Sequence, residues 1–166
     1  GLYRKLPLAV AYPQTSQDLK NLIVFCRNNT THLIPRTAGT SLGGQCVGDG
    51  IVVDVSHFMN QILEINADEK WVRVQPGVVR DELNIELKKR GLYFGPNTST
   101  SNRAMIGGMV GNNSSGSYSI KYGTTRENVL EVKGFLSDGS EVVFGDLDME
   151  DFRAKAHGTT LESAIY

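Results

Sequence analysis

A chain of 166 residues, 40% hydrophobic and 21% charged, is long enough to bury a core and too apolar for a disordered tail. Its 17 basic and 18 acidic residues give a formal net charge of -1, so no global field selects nucleic acid or an anionic membrane. No apolar run approaches the roughly 20 residues that span a bilayer, and the start lacks a secretory pattern, so the expectation is a soluble cytoplasmic protein.

In chain order, "LAVAYP" at 8–13 reads as a short buried strand. "TSQDLKNLIVFCRNN" follows as a helix, with Thr15 or Ser16 as N-cap and apolar residues at 19, 22, 23 and 26. "THLIPRT" and "GIVVDVS" are two further strands, and strand, helix, strand opens a right-handed parallel unit. From residue 62 the grammar changes. "ILEINADEKWVRVQPG" alternates around an Asp-Glu-Lys turn, "VVRDELNIELKKRG" is a helix closed by Gly91, and "VLEVKGFLSDGSEVVFG" carries an Asp138-Gly139 type I′ hairpin signal. The expected organisation is a parallel lobe at 1–60, an antiparallel lobe at 61–145 and, at 146–166, the start of an insertion. Cys26 and Cys46 form no Cys-x-x-Cys pair, so no metal site is expected.

The 18 glycines exceed the roughly 12 that average usage gives, and they cluster. In "PRTAGTSLGGQ", residues 35–45, Gly39, Gly43 and Gly44 permit tight turns, and successive amides can form an anion-binding nest. Arg36 adds charge, and Thr37, Thr40 and Ser41 add hydroxyls. No Gly-Lys-[Ser/Thr] follows, and no Gly-x-Gly-x-x-Gly occurs, so neither a P-loop nor a Rossmann fingerprint is present. A loop whose glycines merely permit turns is the alternative. The second cluster, "GPNTSTSNRAMIGGMVGNNSSGSYSIKYG" at 95–123, is too long for an idle connection in a compact domain. Its apolar centre should start a short helix whose first amides face a ligand, with Gly107 and Gly108 allowing close approach. "VQPGV" at 74–78 adds a third candidate. Three such segments imply one long ligand.

Taken in order, "PRTAGTSLGGQ", "GIVVDVSHFMNQI", "VRVQPGV", "LYFGPNTSTSNRAMIGGMVGNNSSG" and "KYGTTRENVLEVKGFLSDGSEV" resemble the FAD-binding domain of the vanillyl-alcohol oxidase / p-cresol methylhydroxylase (PCMH) flavoproteins. The likeness is greatest to glycolate oxidase and D-lactate dehydrogenase type subunits. It implies an α+β PCMH-type fold, with a small parallel βαβ lobe packed on a larger mixed or antiparallel sheet lobe. It also implies FAD contacts at Arg36, Thr37, Ala38, Gly39, Thr40, Ser41, Gly44 and Gln45, where the first loop wraps the pyrophosphate. Pro76, Gly77 and Val78 match the family's turn beside the cofactor. Ser99, Ser101, Met105, Gly107 and Gly108 match the segment that runs toward the isoalloxazine, Asn112, Asn113, Ser115 and Gly116 match its end, and Tyr122 and Gly123 match a turn near the flavin.

Covalent members often carry histidine where this sequence has Thr40, so the resemblance implies noncovalent FAD. Thr37-Ala38 replaces the usual glycine pair. The implied activity is oxidation of a 2-hydroxy acid such as glycolate or D-lactate, with a partner protein as a candidate electron acceptor. The alternative is a nucleotide- or anion-binding module, or a domain with an incomplete site and no activity alone. Because the chain stops before the family's closing glycine-rich strand and substrate domain, it is expected to be an excised N-terminal portion, with the small-molecule substrate met by the missing domain. His32, His57 and His157 form no Ser/His/Asp or Cys/His constellation, and no catalytic residue is assigned. Asp81, Glu82 and Glu86 read as a solvated helix face, and Trp71, Tyr93 and Phe94 as core.

Overall fold

The computed structural model describes residues 3–166. Strand β1 (Ala9–Ala11) leads into helix α1 (Ser16–Asn28), which returns to β2 (Leu33–Arg36) before β3 (Ile51–Asp54). Helix α1 starts where it does because Thr15 forms a capping box with Asp18: the Asp18 amide donates to Thr15 Oγ1 at 3.2 Å, and the Thr15 amide donates to Asp18 Oδ2 at 2.8 Å. Leu19, Leu22 and Cys26 then fall on one face and pack on Ile51, Val53, Val55 and Met59.

The three strands are parallel, with β3 in the centre: Ala9 and Leu33 both pair with Ile51. Ile51, Val52 and Val53 are all buried, as the middle strand of a sheet covered on both faces requires. β1 and β2, although joined by α1, are therefore not neighbours. Pro35 lies in β2, on the edge of the sheet.

Two antiparallel hairpins follow. β4 (Ile62–Asn66) pairs with β5 (Trp71–Val74), with an irregularity between Ile62 and Glu64. Helix α2 (Arg80–Lys88) lays Leu83 and Leu87 over Ile62, Ile65, Val72 and Val74, and Leu83 is 1% exposed. Its end is turned by Gly91 at φ 70°, where the Leu92 amide donates to the Leu87 carbonyl at 3.0 Å. β6 (Val132–Phe135) and β7 (Glu141–Phe144) form the second hairpin. Its connection is longer than the expected two-residue type I′ turn. Leu136 donates to the Ser140 carbonyl, only Gly139 has positive φ, and the Asp138 carboxylate caps the Ser140 amide.

The expected short helix in the second cluster is α3 (Ile106–Gly111), followed by α4 (Ser119–Tyr122). The segment after 145 forms α5 (Met149–Ala156), capped by Asp148 and packed through Phe152 against Tyr166. Parallel sheet, antiparallel hairpins and interleaved helices make up the mixed architecture that the resemblance implied.

Candidate functional site

The first glycine-rich loop leaves the C-terminal end of β2. Gly39 takes φ 68°, a left-handed conformation that side chains with a Cβ adopt at a cost, and the Arg36 guanidinium lies directly over it. A Cβ on Gly39 would stand 3.0 Å from Arg36 Nη2. Arg36 in turn reaches Asp54 at the end of β3, Nε to Oδ2 4.0 Å, and Asp54 is fixed by the Ser56 hydroxyl at 2.6 Å. Among the described residues, no backbone amide from Thr37 to Cys46 donates to a protein acceptor. The loop thus presents a run of open donors, which is the chemistry of an anion nest.

The second cluster closes onto this loop. Gly108 sits so close to Thr37 that a Cβ would lie 2.5 Å from its Oγ1, and Gly107 meets Pro76 in the same way at 2.5 Å. Asn112 Nδ2 donates to Ser41 Oγ at 2.7 Å. Between the segments lies a cavity of about 910 Å³, lined by Arg36, Thr37, Gly39, Thr40, Ser41 and Gln45 from the first loop. Pro76, Met105, Gly107, Gly108 and Asn112 line it from the later segments. Leu19 and Ile23 of α1 and Gly134 and Phe135 of β6 complete the wall, a contribution from β6 that glycine counting could not reveal. A single phosphate does not need a space of this size; it is the upper end of the range for small-molecule sites. Cys26 also faces it, with its thiol pKa pushed up by burial, as suits a packing residue.

The other sequence-identified residues do not line the cavity. Ala38 and Gly44 belong to the loop, Gly44 with φ 80° against the Tyr3 ring. Gly77 and Val78 are buried beneath it, Gly77 against the Val55 and Met59 carbonyls. Ser99 and Ser115 are exposed. Ser101 donates to Asp81 Oδ2, Asn113 Oδ1 accepts from Thr124 and the Arg126 amide, and Gly116 backs onto the Asn97 carbonyl. Tyr122 packs edge-on to Tyr93 and Tyr118, and Gly123 turns the chain at φ 78°. The first amides of α3 do not face a ligand: Ile106 donates to the Val78 carbonyl at 2.9 Å and Gly107 to Pro76 at 2.8 Å. They fasten the helix to the 76–78 turn instead.

Sequence reading also missed what holds the second cluster. Arg80, 5% exposed, and Asn84, 9% exposed, are buried polar residues on α2. Arg80 donates through Nε to the Pro96 carbonyl at 2.9 Å, and through Nη2 to the Tyr93 hydroxyl at 2.6 Å and the Phe94 carbonyl at 3.2 Å. Asn84 brackets Phe94, donating to its carbonyl and accepting from its amide. Asp81, read as solvated, accepts from Arg80 and Ser101 instead. Tyr93, read as core, is half-exposed and serves as an acceptor for Arg80. The available signal was helical spacing: 80, 84 and 87 share a face with 83.

Open amides on one wall, glycine floors on the other and a shared cavity fit a long ligand with an anionic middle, such as a dinucleotide. A family model described as an FAD binding domain matches residues 7–145. D-2-hydroxyglutarate dehydrogenase of Pseudomonas putida is 46% identical over 145 residues, covering 86% of this chain and 14% of that protein. The glycolate oxidase subunit GlcD of Bacillus subtilis is 33% identical, covering 86% of this chain and 31% of that subunit. Among solved structures, 6-hydroxy-D-nicotine oxidase from Arthrobacter nicotinovorans superposes with TM-score 0.76 at 24% identity, over 92% of this chain and 33% of that one. The chain thus spans a minor part of the length of the relatives it matches. Among the described residues, no helix is long and apolar enough to cross a membrane, and no group of three or more His, Cys, Asp or Glu could hold a metal ion.

Proposed function

Starting from a chain that belongs to the FAD binding domain family, we propose that it is the FAD-holding portion of an oxidoreductase that oxidises a 2-hydroxy acid. The observation that carries this reading is the meeting of two glycine-bearing segments, at Gly108 on Thr37 and Asn112 on Ser41, around one cavity. In this reading the amides from Thr37 to Ser41 receive the pyrophosphate, and Arg36 supplies positive charge beside them. Pro76, Met105, Gly107 and Gly108 border the path from the pyrophosphate toward the flavin ring. Gly77, Val78 and Ser101 support that path from behind, and Gly44, Gln45, Asn113, Ser115, Gly116, Tyr122 and Gly123 complete its margins.

FAD, when bound, supplies the acceptor for a hydride from the hydroxyl-bearing carbon. This chain's own residues bind, orient and shield that cofactor. Thr40 offers no imidazole for covalent attachment, so FAD is held noncovalently. The names of the relatives favour D-2-hydroxyglutarate and glycolate as substrates to try, and the sequence resemblance adds D-lactate. The groups that bind the acid's carboxylate belong to a further domain, and residues 1–60 and 61–145 act as two lobes of one cofactor site. A partner protein takes the electrons, and the compartment is the cytoplasm.

The test is a visible spectrum of the purified chain, before and after addition of FAD and removal of the excess. Yellow protein that releases FAD on denaturation supports the proposal. Colourless protein that retains no added FAD sinks it in favour of a domain with an incomplete site. Uptake of ADP or pyrophosphate without FAD would favour the simpler anion-binding module.

A further inference from the structure

The buried polar residues of α2 touch no part of the cavity, yet every one of them ends on the segment that does. Arg80 is the centre of this arrangement. Its guanidinium reaches the Pro96 carbonyl, the Phe94 carbonyl, the Tyr93 hydroxyl and Asp81 Oδ1, the last at 2.8 Å, and its backbone amide donates to the Ala104 carbonyl at 2.9 Å. Tyr93 also stacks on the guanidinium, with the Arg80 Cζ 5.1 Å from the ring centroid. The two ends of the stretch from 93 to 104 are thus tied to a single residue. From there the chain passes directly through Met105 to Gly107 and Gly108 at the cavity wall. We infer that Arg80 is a positioning residue for the cofactor site, fixing the 93–104 segment so that Gly107 and Gly108 meet Pro76 and Thr37.

Several observations favour this role over general stability. An arginine that is nineteen-twentieths buried is costly unless its donors are used, and here Nε, Nη1 and Nη2 all find acceptors: the Pro96 and Phe94 carbonyls and the Tyr93 hydroxyl in a stretch with no regular structure, and the Asp81 carboxylate beside it. Apolar packing alone would cover α2 more cheaply. The planar fork also fixes several acceptors at set angles, which a lysine ammonium cannot do. Asn84 and Asp81 extend the same clasp to Phe94 and Ser101.

The inference rests on the FAD reading, and the experiment separates the two. FAD is titrated into the wild-type protein, Arg80→Lys and Arg80→Met, following flavin fluorescence and the circular dichroism of the bound flavin. Amide hydrogen exchange is recorded on the same proteins without FAD. We expect Arg80→Lys to weaken FAD binding about tenfold or more, the scale of a lost charge-assisted hydrogen bond. We also expect a changed flavin dichroism, with faster exchange at 94–107 and unchanged exchange at 51–55. A wild-type protein that takes up no FAD overturns the functional reading and this inference with it. Wild-type uptake with unchanged affinity in Arg80→Lys overturns the inference alone, as does exchange that rises equally in both regions. Should Arg80→Met fail to fold, Arg80→Lys and Asn84→Ser carry the test, the latter loosening Phe94 at one point.

Discussion

The two walls of the cavity are built on opposite plans. Among the described residues, the loop from Thr37 to Cys46 keeps its amides free of protein acceptors, and it is tied through Ser41 to Asn112 and, at its start, through Arg36 to Asp54 and Val55. The segment from Tyr93 to Gly108 is pinned at many points, by Arg80, Asp81 and Asn84 from α2 and by the 76–78 turn. One wall leaves its donors open, and the other uses its hydrogen bonds to hold shape. A binding site made this way needs a rigid template on one side only. In the proposed FAD site, the cost of ordering falls on the loop assigned to the pyrophosphate.

Four measurements break or sharpen that contrast. The largest effect is expected from Leu83→Ala, which empties the contact beneath α2. It should cost about 2–5 kcal/mol of stability in a denaturant titration. If the pinned wall depends on α2, FAD binding should vanish with it; retained binding at full strength would dissolve the contrast. Next comes Gly39→Val in the open loop. Left-handed backbone for a β-branched residue costs about 1–2 kcal/mol, and the Cβ meets Arg36. FAD affinity should fall about tenfold or more, while the same strain lowers the melting temperature by only a few degrees, about 2–4 °C per kcal/mol. An unchanged affinity would show that the loop's conformation is not what binds.

The joint between the walls is probed by a double-mutant cycle on Ser41→Ala and Asn112→Ala. A coupling of about 0.5–1.5 kcal/mol in FAD binding is expected for one hydrogen bond, and strictly additive single effects would show the walls acting independently. The smallest effect lies in α1, behind the open loop. Asp18 is held below its ordinary pKa first by the Thr15 hydroxyl and then by the Thr15 and Gln14 amides. A depressed carboxylate stabilises the fold above its unfolded pKa, and that stability is lost as pH falls through the lowered folded value. Thr15→Ala should therefore shift acid unfolding to slightly higher pH, measured by far-UV circular dichroism, and coincident acid curves would refute it.

Most of the open wall was legible in the sequence because its determinants are local. Glycine, threonine and serine in an eleven-residue run raise the expectation of a turning loop with open amides without any knowledge of what packs against it. Helix α1 and the β4–β5 hairpin were legible for the same reason, through an N-cap candidate followed by apolar residues at helical spacing and through a period of two. The pinned wall was not, since its cause is tertiary. Arg80 sits in a run of charged residues that reads as solvent-facing, and only the loop folded over it turns the guanidinium inward. The order of the parallel strands was hidden likewise, because chain order says that α1 joins β1 to β2 but not that β3 will slip between them. The turn at 136–140 shows a third kind of miss: Asp138 spends its carboxylate on Ser140 and displaces the expected geometry by one residue.

Pro35 has a consequence for how this molecule meets others of its kind. His32, just before β2, and Arg36 at its end accept from the Ile51 and Val55 amides, so the odd positions between them turn their nitrogens outward, and at Pro35 the ring leaves no N–H to offer. A foreign strand approaching the free margin of β2 would find a missing rung beside the nest, and edge-to-edge association there is discouraged. The opposite margin, along the three-residue β1, is flanked in sequence by Pro7 and Pro13. The missing N–H thus guards the margin of the sheet that lies next to the open loop.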